Sequence, residues 1–143
     1  MKYFTIEELT HSDTAIALGI DNTPNSEIKE HLIQLINELL DPLREAWGSG
    51  IKVTSGYRCA RLNKALKGSS PTSAHLIGYA SDLVPMNGSI TEFKRFAVKW
   101  LKENNIKFDQ CICETNGRGS QWVHLGLYNL AMEQRKQFLN MKV

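Results

Sequence analysis

In the stretch SAHLIGYASDL, Ser73 to Leu83, one histidine, His75, stands seven positions ahead of one aspartate, Asp82. Asp82 runs straight into apolar residues, so the acid is carried into a segment that reads as a buried strand. A carboxylate goes there only with a hydrogen-bonding, ionic or metallic partner. A second histidine, His124, lies in Gln121-Trp-Val-His-Leu125. On a strand it alternates with Trp122 and Gly126 and stands opposite Val123, Leu125 and Leu127, so it can face a cleft while its neighbours fill a core. Two imidazole nitrogens and one carboxylate oxygen suit zinc, which in catalytic sites keeps three protein ligands and an open position. With one formal negative charge among the ligands, such a site stays positive. It would acidify a bound water and polarise a carbonyl. The same residues also allow a hydrogen-bonded His75–Asp82 pair with no metal, and a lone strand histidine is commonly a satisfied core residue. Spacing alone does not choose, and the pattern is not the helical HExxH.

These residues need elements to hold them. Thr5-Ile-Glu-Glu8 forms a capping box that predicts a short helix. The loop Asp21 to Ser26 offers Thr23 or Asn25 as the cap of the next one. From Glu27 to Trp47 the apolar residues Ile28, Leu32, Leu35, Ile36, Leu39, Leu40, Leu43 and Trp47 make one helical stripe, closed by Gly48 and Gly50. Ile51 to Thr54 reads as a strand, Arg58 to Leu66 as a helix, Gly68 to Thr72 as a loop and Ala80 to Val84 as a strand ended by Pro85. Ser89-Ile-Thr-Glu92 is a second capping box, opening a helix to about Asn104 with Phe93, Phe96, Ala97, Trp100 and Leu101 inward. Phe108 to Glu114 and Gln121 to Tyr128 read as strands around TNGRGS, and Ala131 to Asn140 as a last helix. The expected fold class is α+β, a small, mainly antiparallel sheet flanked by helices, in a single domain over residues 1–143. Gly78 and the preceding loop let the chain bend between His75 and Asp82.

Composition narrows the partners. With 42% hydrophobic and 22% charged residues the chain is ordinary globular protein. A net charge of +2, with no Lys/Arg cluster read from the sequence, argues against nucleic acid and suits an anionic polymer only weakly. The N-terminal residues show no secretory leader and no run is long enough to span a membrane, so synthesis in the cytoplasm is expected. Cys59, Cys111 and Cys113 are odd in number and lack CxxC spacing. A disulfide framework is not expected, and Cys111 and Cys113, on the same side of a strand, read as small buried hydrophobes. His11 and His31 are expected at the surface, Arg61 and Arg135-Lys136 on solvated helix faces, and Tyr57 and Trp122 in packing or cleft walls.

Three motifs in order, SGYR at 55–58, SxHxxGxAxD from Ser73 to Asp82 and WVH at 122–124, resemble those of the zinc D-Ala-D-Ala carboxypeptidases. That family includes D,D-dipeptidases and the L-alanyl-D-glutamate endopeptidases of phage lysins, and it shares the Hedgehog/D,D-peptidase fold. The resemblance spans roughly residues 30–128. FDQCICE followed by WVHL is most similar to short phage and prophage members. The resemblance implies zinc held by His75, Asp82 and His124, and hydrolysis of an amide bond in peptidoglycan stem peptides. It implies that Arg58 contacts the substrate carbonyl or carboxylate and stabilises the developing charge, as a permanently charged, planar donor fork can. Ser73 matches a serine near substrate, although a turn serine bonding its own backbone explains it as well. Many members carry a general-base acid three positions before the last histidine; here that position is Gln121, whose neutral amide takes no proton. Glu114 is the substitute expected to reach the same cleft. Asp109 is the second choice, on the strand face of Cys111 and Cys113 and so pointing away. The alternative is a non-catalytic, zinc-containing cell-wall binding module. A monomer acting at the bacterial wall after release is expected. Which peptide bond is cut depends on the loops Lys67 to Thr72 and Thr115 to Ser120, and stays open.

Overall fold

In the computed structural model, which describes residues 1–143, Thr5 opens the first helix as its capping box predicts. Its Oγ1 accepts from the Glu8 backbone N–H at 3.1 Å, and α1 runs Ile6–Thr10. A second short helix, α2 (Asp13–Leu18), follows on a Ser12 cap. Sequence reading missed it because it carries no apolar stripe: Ile16 and Leu18 are exposed, and only Ala15 is buried.

Asn25, not Thr23, caps the long helix, accepting from Ile28 N–H at 2.8 Å. The helix has three joined parts: α3 (Ser26–Leu35), a π-helical turn (Ile36–Leu40) and α4 (Asp41–Trp47). The widened turn has a local cause. Pro42 lacks an N–H, and its ring would strike the carbonyl four residues back. The chain loosens there, and Asp41 N–H bonds Ile36 O instead. The apolar stripe survives the change, with Leu32, Leu35, Ile36, Leu39, Leu40 and Leu43 all fully buried. Each contributes about 1.5–3 kcal/mol by leaving water.

The sheet has five strands: β1 (Ile51–Ser55), β2 (Ala80–Pro85), β3 (Gln110–Thr115), β4 (Gln121–Gly126) and β5 (Gln137–Lys142). Their order is β1-β2-β4-β3-β5, antiparallel except for the β3–β5 pair. Between β1 and β2 lie α5 (Ala60–Ala65) and a 3-10 turn (Ala74–Ile77); between β2 and β3 lies α6 (Ile90–Glu103), capped by Ser89. This is the expected α+β arrangement of a mostly antiparallel sheet with helices. Leu83, Cys111, Val123 and Leu125 enter the core with Phe93, Ala97 and Leu101 of α6. Asp82, Ile112, Glu114 and His124 alternate to the opposite face, since successive strand residues point to opposite sides.

The predicted helix over Ala131 to Asn140 does not form; β5 stands there, parallel to β3, with Phe138 opposite Cys111 and Met141 opposite Glu114. The stretch AMEQRK is made of helix-tolerant residues, but tertiary contacts override that preference. Arg135 grips buried Asp109 through Nε at 2.7 Å and Nη2 at 2.8 Å, and its backbone N–H bonds the same carboxylate at 3.1 Å. Lys136 and Gln137 then donate to Phe108 and Asp109 carbonyls. Anchored there, the chain can only run alongside β3. Arg135 is thus an ion-pair partner and not part of a solvated helix face.

Candidate metal centre

Close packing begins at Gly56, just past β1. A Cβ there would lie 2.1 Å from the Leu9 carbonyl oxygen, so only glycine lets α1 lie on this segment. The segment then leaves Gly56 O free to accept from His75 Nδ1 at 2.6 Å, while Arg58 N–H bonds His75 O at 3.0 Å. His75 sits in the 3-10 turn, whose start Ser73 caps by accepting from His75 N–H at 3.2 Å. Gly78, at φ +79°, turns the chain into β2. Ile28 and Leu32 press within 3.2 Å of where its Cβ would be. From below, His31 Nδ1 bonds Ile77 O at 2.7 Å and its ring stacks on Tyr79 at 4.2 Å. His31 is therefore a support for the turn that carries His75, not the surface residue expected. His11 is exposed and bonds only Asp13.

Strand register supplies the rest. Asp82 and His124 are direct partners across β2 and β4. His124 Nδ1 lies 3.1 Å from Asp82 Oδ1, and His75 Nε2 lies 3.3 Å from the same oxygen. The three ligand atoms fall within 4.8 Å of one another, and all three residues are buried. The donor chemistry fits a cation. A carbonyl only accepts, so His75 carries its proton on Nδ1. Burial pushes the His75 pKa down, the direction that favours the neutral ring. Its Nε2 lone pair therefore faces a carboxylate oxygen. Burial alone would raise the Asp82 pKa, yet the two imidazoles beside it, in their protonated forms, hold it well below the ordinary carboxylate range. Two electron-rich atoms at 3.3 Å are satisfied by a positive ion between them, and zinc takes this donor set. A protonated His75 donating from Nε2 would satisfy the contact without a metal; burial, which disfavours the charged ring, weighs against that form and toward a cation.

Arg58 stands at the rim of the cluster. Its Nη2 donates to Asp82 Oδ2 at 3.2 Å, Nε to Ser55 Oγ at 3.0 Å and Nη1 to Asn63 Oδ1 at 3.4 Å. Ser55 and buried Asn63 fix the guanidinium, a role sequence reading missed. Ser55 was visible as the first letter of SGYR; nothing marked Asn63, whose side chain bridges to the Ser70 carbonyl.

Glu114 reaches the same cleft. Its Oε1 lies 3.9 Å from His124 Nδ1 and accepts from Trp122 Nε1 at 2.8 Å. Burial pushes its pKa up, with the Asp82 charge adding to the rise. Trp122 is thus more than a cleft wall, because it orients this carboxylate. Gln121 is exposed and bonded to Lys94 Nζ at 2.5 Å. Asp109 lies on the other face of β3 with Arg135, as its alternation implied. Beside the cluster a cavity of about 330 Å³ is lined by Thr54, Asp82, Val84, Ser120, Gln121 and Trp122. All three cysteines are free; burial pushes the Cys111 thiol up to about 12, so it packs as a hydrophobe. Cys59 Sγ caps α5 by accepting from Leu62 N–H.

No helix is long and apolar enough to cross a membrane. Comparison with curated proteins found no match. The family model described as Peptidase M15 matches residues 2–125, a span that includes α1, the turn carrying His75, and β1 to β4 nearly entire. That match covers most of the chain and all three residues of the cluster, so the chain belongs to the peptidase M15 family, whose members are zinc-dependent peptidases.

Proposed function

We propose that this protein is a zinc peptidase hydrolysing an amide bond in peptidoglycan stem peptides, working as one domain of 143 residues with the Hedgehog/D,D-peptidase fold. The observation that carries the reading is the convergence of His75 Nε2 and His124 Nδ1 on one oxygen of a buried aspartate. His75, Asp82 and His124 hold the metal. When bound, zinc supplies a Lewis acid and makes water acidic enough to attack near neutral pH. Glu114, whose pKa burial pushes up, takes the proton of the attacking water and returns it to the leaving amine. Trp122 keeps that carboxylate aimed. Arg58 aligns the substrate carbonyl or carboxylate and stabilises the negative charge that grows on it. Ser73 acts through His75, whose turn it caps. Release to the wall from a phage or prophage context suits the resemblance to short members.

Purified muropeptides incubated with zinc-loaded protein, with and without chelator, test this by mass spectrometry. The expected result is a chelator-sensitive product whose mass names the bond. Stoichiometric zinc with no product on any stem peptide favours the second reading, a non-catalytic wall-binding module. Gln121, in place of the usual acid, is the observation that favours that reading.

A further inference from the structure

On the helical side of the sheet, away from the cleft, α6 and the β3–β5 edge enclose an open groove of about 550 Å³. Its wall is Lys94, Arg95, Lys99 and Lys102; its floor is Cys113 and Asn140. Alternation along β5 puts Lys142 on the same strand face as Asn140. Four of the chain's seventeen basic residues thus line one groove and a fifth lies on the adjoining strand face, in a protein with a net charge of only +2. The charge is segregated, which the totals hid.

The groove's cations are poorly neutralised from within. Glu103 is the one acid in the lining, and its pair with Lys99 is long, 3.9 Å, between side chains 62% and 70% exposed. Such surface pairs contribute little. Lys94 bonds a neutral amide, Gln121. Lys94 and Lys102 are about 12 Å apart along the helix, at 1.5 Å per residue, with Arg95 and Lys99 spaced between. The positive charge therefore forms a row and not a point. A row beside a concave floor fits a narrow chain better than a flat membrane.

We propose that this groove binds a linear polyanion without bases, a polyol phosphodiester chain. Ammonium groups hold phosphate as point charges, whatever the torsions of a flexible polymer. Single-stranded nucleic acid asks for aromatic faces on which bases stack, and no aromatic residue lines the groove. Nearby Phe138 is occupied by Phe108 at 5.2 Å and by the Lys102 ammonium at 5.0 Å. The site shares no lining residue with the cleft except through the Lys94–Gln121 bond, so it stands whether or not the peptidase reading does.

The test is fluorescence anisotropy of end-labelled poly(glycerol phosphate) with the whole protein across a salt series. Affinity should fall steeply with salt. The double variant Lys99→Gln/Lys102→Gln should bind at least about tenfold more weakly at low salt. Its log-affinity slope should be shallower by about 1.4, taking the single-strand coefficient for two lost phosphate contacts. Zinc content, thermal midpoint and cleavage of free muropeptides should stay as in the parent. Binding unchanged in the double variant, or no binding at low salt, overturns the proposal. So does equally tight binding of oligothymidylate or of poly-γ-glutamate, since either would show a site that reads something other than a base-free phosphodiester.

Discussion

Two buried aspartates, one in β2 and one just ahead of β3, differ in what surrounds them. Asp109, 1% exposed at the head of β3, faces one arginine that engages both its oxygens at 2.7 and 2.8 Å. That pair is complete, and it directs the chain into β5. Asp82, 5% exposed in β2, has two imidazoles converging on one oxygen and Arg58 on the other, all at 3.1 Å or more. Donor count exceeds what a closed ion pair needs, and one contact sets a lone pair against a carboxylate. The first arrangement builds structure; the second is poised for a cation and for chemistry.

The comparison breaks most sharply at His75. His75→Ala should lose zinc and cleavage together, with product at the level of the chelated parent. Metal analysis of the purified variant alongside turnover checks this, and turnover retained without metal removes the mechanism. Glu114→Gln comes next. The amide still accepts from Trp122 but takes no proton, so turnover should fall by about 10²–10⁴-fold with zinc content unchanged. Unchanged turnover would mean that the base is another group. Arg58→Ala should retain zinc and lose about 10²-fold in kcat, the size of effect found when one oxyanion donor is removed.

At Asp109 the expected effect is on stability alone. Arg135→Met leaves a buried carboxylate with the backbone N–H of residue 135 but without its two guanidinium donors. Loss of charged hydrogen bonds costs roughly 1.5–3 kcal/mol each at full burial. Arg135 is 38% exposed, so the total is discounted to roughly 2–3 kcal/mol. Denaturant unfolding should register that loss while zinc content and kcat/KM hold. A variant that instead loses zinc would show that β5 props up the cluster, and the contrast between the two aspartates would fail.

The same contrast shows what sequence can and cannot carry. The Asp82 cluster was legible as three candidate residues, and their grouping came from motifs that resemble a known family's. Spacing alone left a metal-free His75–Asp82 pair open, because Asp82 and His124 meet only through the pairing of β2 with β4. Glu114 followed from antiparallel pairing, which the short TNGRGS loop made plain. The long helix was legible from its apolar period, though not its π turn, which depends on how Pro42 is accommodated. The Asp109–Arg135 pair was not legible, because twenty-six positions separate its members and nothing in either segment names the other. For that reason β5 read as a helix. His31 was missed on similar grounds, because its bond to the Ile77 carbonyl spans forty-six positions. Ser55 and Asn63 lie only three and five positions from Arg58, but the irregular chain around Arg58 carries no periodic pattern that would pair their side chains with it.

The smallest expected effect tests the least conventional part of the site. Gln121 holds the position where an acid commonly sits in similar sequences, yet its side chain is at the rim with Lys94, while Glu114 reaches His124. If Glu114 already serves, restoring an acid with Gln121→Glu adds a carboxylate that forms a surface pair with Lys94. Surface changes of this kind are worth about 0.5 kcal/mol or less, so kcat should stay within about twofold. A rise of tenfold or more would mean that position 121 can swing to the cluster and that Glu114 is a weak base. Pairing the substitution with Glu114→Gln separates the cases. If the double variant stays as inactive as Glu114→Gln alone, the proton belongs to Glu114; if Gln121→Glu restores turnover, two positions on adjacent strands can serve the same metal centre, one in place of the other.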